Sequence, residues 1–128
     1  MTITELPQTE VLTRKEFLDN MIAYYSEDPE HRRSQAGPDT CFYHQSNGAK
    51  CAIGRWIPDD QYDSAIEGVT VCDDLVFRSL PEKLKDLGMD FLADVQKLHD
   101  NGHWWCANGL NETGEKRALA LRIRYNCQ

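Results

Sequence analysis

The sequence predicts an α+β domain that is mostly α, with about five helices and a short β-hairpin or β element near residues 40–54. Three observations carry that expectation. Apolar residues recur at helical spacing in residues 14–26 and again in 90–99, an Asn47-Gly48 dipeptide follows a run of β-branched and aromatic residues, and 128 residues suit one domain. A chain of this length buries roughly two-thirds of its unfolded surface without metals or cross-links. Residues 1–128 therefore form one domain on this reading, with 1–12 a loosely ordered N-terminal segment.

The first helix is the best marked. Thr13 and Glu16 have the spacing of a capping box, and Phe17, Leu18, Met21, Ile22 and Tyr25 then share one face, which predicts a helix from about Arg14 to Ser26. Glu27 to Asp39 holds Pro29, Gly37 and Pro38 among charged residues and reads as an exposed connection. Thr40 to His44 favours a strand. A two-residue turn at Asn47-Gly48 would place His44 opposite Cys51, and a loop one residue longer would change every pairing. Residues 51–57 stay open between strand and a short helix ended by Pro58; as a helix they would put Cys51 near a positive dipole end that favours its thiolate.

Beyond Pro58, Asp59 is positioned to cap a helical turn closed by Gly68. Thr70 and Asp73 open a helix through Leu75, Val76 and Leu80, and Pro81 begins another that stops at Gly88. Phe91, Leu92, Val95 and Leu98 make the stripe of a helix from about Asp90 to His99, ended by Asn101-Gly102. His103 to Asn111 reads as a loop anchored by two tryptophans. In 113–125 strand-like alternation competes with helix-forming composition, and the helix is preferred. The expected core is Phe17, Met21, Ile22, Phe42, Ile53, Leu75, Phe91, Leu92, Val95 and Leu98.

Composition narrows the partners. Hydrophobic residues make up 41% and charged residues 27%, and no apolar run approaches the ~20 residues of a membrane helix. The N-terminal residues lack a basic segment followed by an apolar one, so the expected location is the cytoplasm, that of the host cell if the gene is phage-borne. A net charge of −7 opposes direct binding to a nucleic-acid backbone and suits a protein partner with a basic surface. Five cysteines, at 41, 51, 72, 106 and 127, are expected to be reduced thiols, because a cytosol disfavours disulfides and the count is odd.

The residues Cys41, Tyr43, Gly48, Cys51, Ala52, Gly54, Ile57, Pro58, Asp59, Tyr62, Glu67, Gly68, Gln96, His99 and Asp100 make the pattern C-x-Y, G-x-x-C-A-x-G, I-P-D-x-x-Y, E-G and Q-x-x-H-D. This pattern resembles a family of small uncharacterised proteins of tailed phages and bacterial prophages. The resemblance covers roughly residues 40–100 and implies a phage or prophage origin without an assigned activity. Arg55-Trp56 replaces a more apolar pair, and the loop with Trp104, Trp105 and Cys106 lies outside the pattern.

Three constellations could carry chemistry. Cys41, His44, Cys51, His99, His103 and Cys106 include spacings that could converge on zinc, although no paired C-x-x-C is present and chance spacings of this kind are common. Cys51 as thiolate, His99 as base and Asp100 or Asp59 as orienting carboxylate could make a nucleophilic site; the competing expectation is close packing around K-C-A-I-G and a helix end finished by His99 and Asp100. Acidic residues crowd 59–94, and Trp56, Asp59, Asp60, Tyr62, Asp63, Glu67, Trp104 and Trp105 are the candidates for contact with a basic partner. Such a face is also what a solvated surface looks like, and tryptophan is as often core.

The preferred reading is a non-enzymatic accessory protein that binds a host protein as inhibitor, anti-defence factor or takeover adaptor. The alternatives are a small Cys/His enzyme and a zinc-stabilised domain. The stretch from Cys41 to Gly68, together with Gln96, His99 and Asp100, is further expected to form one contiguous cluster built first for structure.

Overall fold

The computed structural model describes residues 12–33, 42–45, 48–69, 71 and 73–128. Six α-helices lie among them: α1 (Arg14–Glu27), α2 (Pro29–Arg32), α3 (Asp74–Phe77), α4 (Glu82–Lys85), α5 (Met89–Asp100) and α6 (Glu112–Arg124). Two short antiparallel strands, β1 (Trp105–Cys106) and β2 (Gly109–Leu110), stand between α5 and α6. The domain is α+β and mostly α.

The capping box at the start of α1 forms as expected: the Glu16 N–H donates to Thr13 Oγ1 at 3.1 Å and the Thr13 N–H to Glu16 Oε1 at 3.0 Å. Phe17, Leu18, Met21 and Tyr25 of α1 are buried in the same core as Phe91, Leu92, Val95 and Leu98 of α5. Phe17 ties three elements together, with its ring 6.1 Å from Phe91 and 5.5 Å from Trp56. Ile53 and Ile57 close the core from the loop side, and Val76 and Leu84 from α3 and α4. Residues 113–125, where two patterns competed, are almost wholly helical in α6, capped by Asn111 accepting from the Gly114 N–H at 2.9 Å.

Several expectations need correcting. Phe42 and Leu75 are 37% and 44% exposed rather than core. Tyr43 takes the inward position beside Phe42, which is left facing out; in the single turn of α3, Val76 takes the buried position and leaves Leu75 outside. Ile22 is only half-buried. The regular strand pairing falls at Trp105↔Leu110 and Cys106↔Gly109, in the segment expected to be loop. Among the described residues of 42–51 there is a single bridge, His44↔Lys50.

Around that bridge the Gln45 N–H donates to the Ala49 carbonyl at 2.8 Å and the Cys51 N–H to the Tyr43 carbonyl at 3.3 Å. The connection is therefore one residue longer than a two-residue turn, and Tyr43, not His44, faces Cys51. Ser46 and Asn47 lie outside the described residues. Residues 54–56 make one 3-10 turn just ahead of Pro58, so the open choice at 51–57 falls to a short helix, of 3-10 form and three residues long.

Asp59 does not cap; Asp63 does, accepting from the Ala65 N–H at 2.9 Å, and Asp73 does the same for Leu75. Thr70, the expected opening of α3, lies outside the described residues. Pro29 and Arg33, in the stretch expected to be exposed, are buried. The expectation of a loosely ordered start falls outside the described residues except at Leu12, which is buried. Among the described residues no helix is long and apolar enough to cross a membrane.

Candidate functional site

The last turn of α5 delivers Gln96, His99 and Asp100 to the loop that carries Cys51. Gln96 is the bridge: its Oε1 accepts from the Ile53 N–H at 3.1 Å and its Nε2 donates to Asp100 Oδ1 at 2.5 Å. The same Asp100 oxygen lies 2.9 Å from His99 Nδ1. A carboxylate accepts, so Nδ1 carries the proton and Nε2 is a bare acceptor. His99 is wholly buried, and its Nε2 has no hydrogen-bond partner among the described residues. Burial lowers its pKa, against the pull of Asp100 in the other direction.

Two further residues finish this cluster, and both escaped the sequence. Tyr25 of α1 places its ring 4.7 Å from His99, edge to face, and its hydroxyl donates to the Lys50 carbonyl. Arg33 donates from Nε to the His99 carbonyl at 2.9 Å and from its terminal nitrogen to the Asp100 carbonyl at 3.2 Å, closing the C-terminus of α5 with a cation. Its charged, proline-bearing surroundings hid it; the one available signal was that an α5 ending in His-Asp needs a donor for its last carbonyls.

Cys51 sits in the same interior. Its Sγ accepts from the Gly54 N–H at 3.3 Å, and burial pushes the thiol up to about 12. The 3-10 turn that follows is too short to supply a compensating helix dipole, so the expectation of a favoured thiolate fails. No hydrogen bond joins it to His99: one ring nitrogen is held by Asp100, and the other has no hydrogen-bond partner among the described residues. Cys51, His99 and Asp100 thus belong to one buried cluster without making a nucleophile–base pair.

Asp59 belongs elsewhere. Its carboxylate is exposed, 3.0 Å from Lys50 Nζ and 3.4 Å from His44 Nδ1. Beside it His44 stacks on Tyr62 at 4.2 Å, with His44 Nε2 donating to the Gly54 carbonyl at 2.9 Å. Glu67 anchors this second cluster by accepting from the Tyr43 N–H at 2.9 Å, the His44 N–H at 3.1 Å and the Tyr62 hydroxyl at 2.5 Å. Burial and the Glu67 carboxylate push the Tyr62 hydroxyl up to about 12, so it remains a donor at neutral pH.

The binding candidates divide accordingly. Trp56 and Trp105 are buried, the latter donating from Nε1 to the Leu98 carbonyl at 2.9 Å, so neither is a surface anchor. Trp104 is half-buried beneath Arg117. Tyr62 and Glu67 spend their polar atoms internally. Asp59, Asp60 and Asp63 are exposed.

Among the described residues no group of three His, Cys, Asp or Glu side chains is arranged to hold a metal ion. Of the zinc candidates, Cys51 and His99 lie inside, His44 is bound to a backbone carbonyl, and His103 and Cys106 are exposed near the hairpin. Cys41 lies outside the described residues, as does Cys72; Cys51, Cys106 and Cys127 are free thiols. The chain matches no family model, and neither the curated proteins nor the solved structures include a match to it.

Proposed function

We propose that this protein acts by binding rather than by catalysis, engaging a basic surface on another protein through the carboxylates of residues 59–90. Nine acidic and three basic residues fall in that stretch, a net −6 of the chain's −7. Asp60, Asp63, Asp73, Asp74, Asp86 and Asp90 are exposed, and none of the six is in an ion pair among the described residues. That unspent charge is the observation supporting the reading. Surface carboxylates with no internal cation attract a cationic partner, raise its association rate and exclude acidic competitors.

The enzymatic alternative loses support at Cys51, whose thiol stays protonated at neutral pH and faces the interior. With the phage-like sequence pattern, the binding reading becomes that of an accessory protein in the host cytoplasm, an inhibitor, anti-defence factor or takeover adaptor aimed at a basic host protein.

Affinity capture from bacterial lysate with the wild type and an Asp60→Asn, Asp74→Asn, Asp86→Asn, Asp90→Asn variant tests this. These four leave the caps at Asp63 and Asp73 in place. The expected result is a partner with a basic surface, retained by the wild type, released by salt and lost with the variant. Capture of the same proteins by both would overturn the reading.

A further inference from the structure

Helix α6 turns Gly114, Ala118 and Leu121 inward and leaves Leu119 and Ile123 53% and 60% exposed. The two are four residues apart, so they are neighbours on one stripe of the helix. Among the described residues these are two of four large exposed apolar side chains, and the only two that are helix neighbours. Covering such a pair removes apolar surface from water.

Leu119 borders a groove of about 460 Å³ between α6 and α1. Ile22 and Ala118 give the groove apolar surface, and Glu115 and Arg122 line it a turn before and a turn after Leu119. Charge is ordered along the helix, with Glu112 and Glu115 in its first turn and Arg122 and Arg124 in its last. Glu115 is in no ion pair among the described residues, while Arg122 holds Asp19 of α1 at 2.7 Å. A guanidinium carries donors enough to serve a second carboxylate.

We infer that the Leu119 stripe of α6 docks on the same stripe of a second copy of this chain, the two helices running antiparallel about a two-fold axis at Leu119. Helical spacing then decides what meets. Glu115 and Arg122 flank Leu119 on the same side of the stripe, four residues before it and three after. Reversing one helix therefore brings Glu115 of one copy to within about 1.5 Å, along the axis, of the level of Arg122 in the other. On the opposite side of the stripe Ile123 meets the aliphatic stem of Lys116. The two-fold axis makes each of these contacts twice. A parallel pairing would set like charges at the same level, so the order of charge selects the antiparallel one. It also selects the occupant, because a face that is acidic at one end and basic at the other is its own complement when reversed. The net charge of −7 comes mostly from residues 59–90, none of which lines the groove. The contact is thus independent of the carboxylates proposed to bind a partner, and either surface can exist without the other.

Sedimentation velocity over a range of protein concentrations tests the inference. Expected is a reversible monomer–dimer equilibrium for the wild type, with the Asp60, Asp74, Asp86, Asp90 variant dimerising at least as tightly. Leu119→Ser with Ile123→Ser, and separately Glu115→Arg, each raise the dimer Kd about tenfold or more. The Glu115→Arg and Arg122→Glu chains, each repelling its own kind, form a mixed dimer when combined, since the exchanged charges again oppose. Circular dichroism melts establish that each variant is folded. Arg122→Glu gives up the Asp19 contact, and if that chain fails to fold, the other two variants decide. A wild type that stays monomeric throughout, or a dimer undiminished by either the apolar or the Glu115 change in folded protein, would overturn the inference. So would a folded Arg122→Glu chain that does not pair with Glu115→Arg.

Discussion

His99 Nδ1 lies 2.9 Å from Asp100 Oδ1, while its Nε2, buried in the ring's contact with Tyr25, has no hydrogen-bond partner among the described residues. The imidazole is thus fixed in one tautomer by one carboxylate, and that carboxylate is fixed by Gln96, which also holds the Ile53 backbone. Removing a member strips a partner from the next one.

His99→Ala should therefore cost about 2 to 4 kcal/mol, from the cavity and from the loss of one of the two donors to Asp100. Cys51→Ala removes only a small buried side chain and a weak sulfur acceptor, and should cost about 1 kcal/mol. Urea unfolding followed by circular dichroism measures both; equal effects would mean that the polar chain from Ile53 to His99 adds nothing beyond volume.

The same burial sets a pH dependence. In the unfolded chain His99 takes a proton near pH 6.5, whereas in the folded chain its pKa is lowered, first by burial and against the opposing pull of Asp100. Arg33, Arg55 and Tyr25 are the other charged or titratable groups facing it. The unfolded state then binds the extra proton, so stability falls as pH drops below about 6.5, by at most about 1.4 kcal/mol per pH unit. The difference between wild type and His99→Asn, followed from pH 7.5 down to about 5, isolates this from carboxylates that titrate lower. A pH-independent difference would contradict the assignment.

Glu67 holds two backbone N–H groups and one hydroxyl with a single carboxylate. Glu67→Ala should cost about 2 to 3 kcal/mol by leaving the Tyr43 and His44 N–H groups without acceptors. Tyr62→Phe, which deletes one donor to an otherwise satisfied carboxylate, should cost about 1 kcal/mol. Thermal melts of the two variants should rank in that order.

Gly54 packs its Cα face onto the backbone of Tyr43, where a methyl group would overlap the carbonyl. Gly54→Ala should destabilise by at least about 2 kcal/mol, since backbone rather than a flexible side chain would have to move. Gly48 has open space but a φ of 94°, so Gly48→Ala should cost about 1 to 2 kcal/mol through conformation alone. Chemical denaturation should show the larger loss at Gly54.

Helix placement was largely legible because caps and stripes are local. Thr13 with Glu16, and Phe91, Leu92, Val95 and Leu98, state their helices within a few turns of chain. The association of Cys51 and Gln96 with His99 and Asp100 was legible too, as a set of polar types on the edge of an apolar helix. The hairpin at Trp105 was not, although Asn108-Gly109 offered a turn signal one position beyond the observed centre. Its strands are two residues each, too short for alternation to register.

By itself, the sequence determined the mostly helical class, the capped start of α1, the stop of α5 at Asn101 and the concentration of negative charge between 59 and 90, because composition, caps and periodicity are properties of neighbouring residues. Only the tertiary structure decided that Cys51 is interior, that Asp59 stands apart from His99, that Trp56 and Trp105 are core and that Leu119 and Ile123 are bare. Burial is set by what distant elements bring to the same place: Phe17 covers Trp56, Leu98 receives Trp105, and no described element comes to cover the outer side of α6.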